Sequence, residues 1–159
     1  MIAFRRVGPW AVLGLLLIWT GWQAVQHDRS DWPFHIGDEG TYAMAAASLA
    51  WDFDYRFEER DVERFRDLWG GTPDLILQSS NGGETITFGK PFFYPLYLAP
   101  FIRAAARRGP AIANSLLLAG ASIFTAWVLA LSLPTMAPLL VSVFVFCSLT
   151  FAHVYWIHP

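Results

Sequence analysis

Two apolar blocks flank a polar middle, and every acidic residue of the chain falls in that middle, from Asp28 to Glu84. Between Val7 and Gln26 no charged residue occurs. About 20 residues rising ~1.5 Å each cover the ~30 Å hydrocarbon core of a bilayer. This block predicts a first transmembrane helix. Arg5 and Arg6 precede it and place the N-terminus in the cytoplasm, so the chain from His27 onward lies outside. A cleaved signal peptide would share the basic start, but Trp22-Gln23-Ala24-Val25-Gln26 lacks small residues at both cleavage positions. An uncleaved anchor is the expectation.

Aromatic residues continue throughout positions 27–89, which favours a folded insert over a linker. Its first element is a helix over 42–51, with Asp38 as its cap and Tyr42, Ala45, Ala46, Leu49 and Phe53 on one apolar face. A carboxylate there gains from unpaired N–H groups and the helix dipole, so Asp38 and Glu39 are expected ionised and facing water. Residues 56–69 predict a short amphipathic helix, with Phe57, Val62, Phe65 and Leu68 or Trp69 inward and its charges solvated. Gly70-Gly71-Thr72-Pro73 stops it. Segments 75–78 and 84–88 then flank the turn-rich Ser79-Ser80-Asn81-Gly82-Gly83, a hairpin signal. Residues 89–102 are apolar but too short to span, and Pro91, Pro95 and Pro100 predict a broken helix at the interface, with Lys90 at headgroup level. Beyond Arg107-Arg108 no charged side chain follows. Pro134 and Pro138 divide that stretch into a second span over 111–133 and a third over 138–156.

The resulting fold class is an all-α integral membrane protein: three transmembrane helices and a large extracytoplasmic loop containing juxtamembrane helices and a small hairpin. Its parts are 1–26, the cytoplasmic N-terminus and first span; 27–110, the outer loop; and 111–159, the second and third spans. Because the third span ends outside with no polar tail, the chain reads as an amino-terminal piece of a larger protein.

Composition supports a membrane setting, since a hydrophobic fraction of 55% and a mean hydropathy of +0.37 exceed those of soluble domains. No basic run exceeds two residues, which leaves no footprint for nucleic acid. The single cysteine, Cys147, excludes an intrachain disulfide and multi-cysteine metal sites, and its apolar surroundings predict burial. Asp38-Glu39 beyond a membrane helix, followed by Lys90 beside a broken apolar segment, suits a base and a lipid-borne phosphate. The plainer account makes Asp38-Glu39 a cap with a surface acid and Lys90 a snorkelling cation. His27 and His35 stand near the acids in too loose a pattern for a metal centre; no cofactor is expected, and a divalent cation is the one that hard oxygen ligands could take. His153 and His158 are further candidates near the third span's end. Phosphate-loop, GxSxG and HExxH motifs are missing from the sequence.

The order of these parts, with Asp38-Glu39-Gly40-Thr41-Tyr42 after the first span and Gly89-Lys90-Pro91 before Tyr94-Pro95-Leu96, resembles the C-type glycosyltransferase superfamily. It is most similar to the protein mannosyltransferase and aminoarabinose transferase branch of glycosyltransferase family 39, over the amino-terminal part of those enzymes. Thr41 stands where the aminoarabinose transferases usually carry an arginine, and Phe92 where they carry a second proline. The resemblance implies an enzyme of the bacterial inner membrane that moves a sugar from a polyprenyl-phosphate donor to an acceptor on the outer face. It implies catalytic roles for Asp38 and its partner Glu39, a phosphate contact for Lys90, and substrate-cavity positions for Tyr42 and Tyr94. Membrane lipid and the carboxy-terminal part of the same enzyme would be its partners. The alternative is a non-catalytic three-span membrane protein whose outer loop binds a partner or an ion; a transporter fragment fits less well, since its site would lie near the midplane.

Overall fold

A computed structural model of the chain describes residues 2–26, 37–71 and 74–147. They form helices α1 (Ile2–Gln26), α2 (Gly37–Trp51), α3 (Glu59–Trp69), α4 (Phe93–Ala105), α5 (Gly109–Ala130) and α6 (Ala137–Cys147), with strands β1 (Leu77–Ser80) and β2 (Thr85–Phe88). Two compact units divide the chain. Among the described residues, 2–26 and 114–147 make one unit, and 37–71 with 74–113 make the other.

In the first unit Leu13 of α1 packs with Leu118 and Ala126 of α5 and Val141 and Val145 of α6. The remaining large side chains, among them Leu15, Ile18, Trp22, Phe124, Trp127 and Phe144, are exposed. Helices apolar all round have this pattern when hydrocarbon or further protein surrounds them. Two buried hydroxyls are satisfied within their own helices: Thr20 donates to the Leu16 carbonyl at 2.9 Å and Ser142 to that of Pro138 at 2.7 Å, whereas buried Ser115 and Ser122 of α5 find no hydrogen-bond partner among the described residues. Two helical stretches, Val7–Gln26 and Phe93–Ala130, are long and apolar enough to cross a membrane. The expected third span is seen as the 11 residues of α6; its remainder, with His153 and His158, lies outside the described residues. Cys147 is exposed rather than buried, because α6 turns Ala137, Val141 and Val145 inward and Cys147 falls on its other side.

The second unit is built on α2 and α4. Asp38 meets Lys90, Tyr42 meets Tyr94, and the Ala50 carbonyl meets Arg103. The offset along the sequence is almost constant, so the two helices run parallel, start beside start and end beside end. Ala43, Met44, Ala45, Ala46 and Ala47 are all buried, packed with Phe65, Trp69, Phe88, Leu98 and Ile102. Small side chains let neighbours approach α2 from every direction, so the helix is enclosed rather than apolar on one face. The expected last member of that face, Phe53, lies beyond the helix end with φ 59° and is 84% exposed.

Helix α3 begins at Glu59, three residues after the expected start. Glu58 and Asp61 form a reciprocal capping box, and Gly70 closes the helix at φ 82°. The chain ahead of it is held elsewhere: Arg56 bridges Thr87, and the Phe57 amide donates to the Ile86 carbonyl at 2.9 Å. Its charges are only partly a solvated face. Arg64 pairs with Asp52 at 2.7 Å and with buried Asp61 at 3.2 Å, and Arg60 pairs with Asp54 and Glu58. Burial pushes the Asp61 carboxyl above its usual range, and the Glu58 amide and Arg64 offset this only in part.

Strands β1 and β2 pair antiparallel from Leu77 opposite Phe88 to Ser80 opposite Thr85, around a turn at Asn81–Gly83. The prolines do not break α4. Pro95 sits in its first turn, where no intrahelical N–H bond is lost, and Pro100 is carried inside it. The break comes at Ala106, with φ 46° and ψ −119°, where the chain turns from α4 into α5. Gly109 makes that corner fit. A Cβ there would stand 2.6 Å from backbone atoms of Phe101 and Ile102.

Candidate functional site

Lys90 Nζ lies 2.5 Å from Asp38 Oδ1, with the two side chains 18% and 25% exposed. This pair joins the start of α2 to the turn that leads into α4. Asp38 is not the cap of α2: the helix already begins at Gly37, so Asp38 and Glu39 both lie in its first turn, where negative charge still meets unpaired N–H groups. Nor do both acids face water. Glu39 is 3% exposed and points into the unit, because successive helical positions diverge by about 100°.

One aromatic ring flanks the pair and a second backs the first. The Lys90 ammonium stands 5.8 Å from the centre of the Tyr42 ring, and Tyr94 packs edge-on against Tyr42 with ring centres 5.3 Å apart. The structure therefore groups Asp38, Tyr42, Tyr94 and Lys90 at one end of the parallel helices. Glu39 shares the turn but faces inward. Helix α4 starts after Phe92 with no side chain capping it. Two helix N-termini thus lie side by side, and their dipoles give this end a preference for negative charge.

The backbone beside Lys90 is fixed by residues that periodicity could not flag. Thr41, buried in α2, accepts the Ile76 amide at 2.8 Å, and the Ile76 carbonyl accepts the Gly89 amide at 2.8 Å. Gly89 fits closely here, since a Cβ would come within 3.1 Å of the Ile76 carbonyl oxygen and push it back by a few tenths of an ångström. Tyr55 donates its hydroxyl to the Lys90 carbonyl at 3.0 Å. Burial, with a smaller contribution from Tyr42, pushes the Tyr55 hydroxyl up to about 12, so it remains a donor across the neutral range.

Chemically, the site offers one carboxylate, one ammonium and two phenol rings in half-buried surroundings. Among the described residues no group of three or more His, Cys, Asp or Glu side chains could hold a metal ion. His27 and His35 lie outside those residues. No protein-family model, curated protein or solved structure matches the chain.

Proposed function

We propose that this chain is the amino-terminal, active-site-bearing part of a membrane glycosyltransferase that uses a polyprenyl-phosphate sugar on the outer face of the bacterial inner membrane. The observation that supports this reading is the Asp38–Lys90 pair, half-buried beside Tyr42, on which Tyr94 packs, where two helix N-termini converge. A phosphate diester is the kind of ligand that an ammonium and helix N-termini bind together.

In the proposed reaction an acceptor hydroxyl attacks the anomeric carbon, and the bond from that carbon to the phosphate oxygen breaks. Polyprenyl phosphate leaves with the electron pair, and Asp38 takes the hydroxyl proton. Lys90 neutralises the charge that grows on the leaving phosphate. In the ligand-free state these two groups hold each other. A donor phosphate would replace Asp38 as the counter-ion of Lys90 and so release the carboxylate to act as base. Glu39 supports Asp38 from the same turn, and Tyr42 and Tyr94 line the donor's path.

The test is sugar transfer in membranes carrying the chain, alone and extended through whatever coding sequence follows Pro159, with labelled polyprenyl-phosphate sugars. Asp38→Asn should lower transfer by about 10² to 10⁴, the range for a lost general base, and Lys90→Ala should weaken donor use. Unchanged transfer by Asp38→Asn would sink the catalytic role. No transfer by any form, with the chain stably inserted, would favour a membrane protein whose outer segment binds a partner or an ion.

A further inference from the structure

We infer that Tyr55 is a positioning residue for Lys90: by binding the carbonyl of Lys90 it sets where the ammonium stands relative to Asp38. This rests on the reading of Lys90 as the phosphate contact and adds the residue that aims it. Four observations carry it.

First, the Tyr55 hydroxyl reaches the Lys90 carbonyl across 35 positions of sequence, at 3.0 Å. Second, the peptide that follows Lys90 ends in the nitrogen of Pro91, which carries no hydrogen, so that peptide unit can be held only through its carbonyl. Third, the preceding residue is tied on its other side, Gly89 N–H to the Ile76 carbonyl, and Ile76 is bonded in turn to Thr41 of α2. With Tyr55 in place, the chain is held at the Lys90 carbonyl and again one residue earlier at the Gly89 amide, and the second hold leads back to the helix that carries Asp38. Fourth, the Tyr55 ring is itself fixed, edge-on to Phe88 at 5.4 Å and to Phe92 at 6.3 Å, the residues that bracket the Gly89-Lys90-Pro91 turn. Holding the root of a long, flexible lysine side chain narrows the positions its ammonium can reach and lowers the entropy lost in pairing. Tyr55 holds that root.

The chain provides its own probe, because Lys90 is its single lysine. The full chain, reconstituted in lipid nanodiscs, is treated with a water-soluble amine-acylating reagent at one fixed pH, and the Lys90 peptide is followed by mass spectrometry apart from the N-terminal amine. Asp38→Asn removes the partner carboxylate and marks the full effect: Lys90 labels faster. Tyr55→Phe keeps the ring and its packing but loses the hydroxyl. It should raise the rate by about two- to ten-fold, the change corresponding to one hydrogen bond.

Tyr97→Phe controls for general loosening, since Tyr97 also donates to a backbone carbonyl of this unit, that of Ala113 at 2.7 Å, without touching Lys90. Its labelling rate should match the parent's. A parental rate for Tyr55→Phe would overturn the inference, and so would an equal response from Tyr97→Phe. No sugar donor enters the experiment, so loss of the glycosyltransferase reading would show separately in the transfer assay.

Discussion

The two units hold themselves together by different means. In the unit of α1, α6 and the later part of α5, the core cluster is apolar and the hydroxyls of Thr20 and Ser142 bond to carbonyls one turn away in their own helices. In the unit of α2 to α4, side chains reach across the sequence to bind backbone: Tyr55 to Lys90, Thr41 to Ile76, Arg103 to Ala50, and Arg107 to Leu68. Arg103 and Arg107 meet carbonyls in the last turns of α2 and α3, where positive charge is favoured. Both Arg64 and Arg103 also lie 5.6 Å from the centre of the Trp51 ring. Apolar contacts tolerate small slips, whereas directional bonds do not. A site that depends on the distance between two charges belongs in the second kind of unit.

Adding one methyl group to each unit tests this contrast most severely. Gly109→Ala puts a Cβ 2.6 Å from backbone that has no flexible end to move aside. It should cost about 1 to 3 kcal/mol, the range for overpacking of a tight contact. Gly120→Ala, in the apolar unit with nothing within 4 Å of the added carbon, should be neutral or stabilising by up to about 1 kcal/mol. Thermal unfolding in detergent, followed by circular dichroism, separates the two; equal costs would mean that the units do not differ in tolerance.

A smaller effect is expected at the start of α3. Asp61→Ala removes one half of the capping box and leaves the Glu58 amide and Arg64 without that partner. The loss should be about 1 to 2 kcal/mol, the range for a lost cap, read as a lower unfolding midpoint. Glu63, exposed on the same helix, should tolerate alanine.

The gentlest probe is alkaline pH. Tyr55 titrates at about 12 in the fold against 10.0 when free. Its folded value is the higher, so its contribution to stability is intact below 10.0 and is lost as pH rises from there to about 12. Base-induced unfolding of the parent should therefore steepen in that window, and Tyr55→Phe should flatten the curve there. An unaltered slope would place Tyr55 in water.

The apolar unit was largely legible in the sequence, because length and lack of charge determine α1 and α5 with little help from tertiary contacts. Turn residues likewise announced the hairpin, and Gly70 the end of α3. Burial around α2 was not legible: an alanine-rich helix carries a weak periodic signal, so nothing marked Glu39 as inward-facing or Phe53 as outside the helix. Proline misled over α4, since Pro95 in a first turn costs no bond and Pro100 is accommodated within it, while the real break lies at an ordinary alanine. Asp38 and Lys90 stood out as candidate chemistry, but their contact did not, being a product of the parallel helices. Thr41 stood out only as a departure from the family's arginine, and Ile76 not at all; nothing announced the bond between them. One acts through a hydroxyl that any buried threonine carries, the other through its main chain alone.

Parallel neighbours impose a demand that a helical hairpin avoids. After reaching the end of α2, the chain must travel back some 22 Å, the length of its 15 residues, before it can start α4 on the same side. Fully extended, about seven residues would make that journey. Here the return path runs over residues 52–92, far more than the crossing requires. The excess is where α3, the hairpin, Tyr55 and Ile76 reside, so the segment that closes the topology also carries the instructions for where it must end. A shorter return could still connect the helices, but it would deliver the lysine without a fixed address.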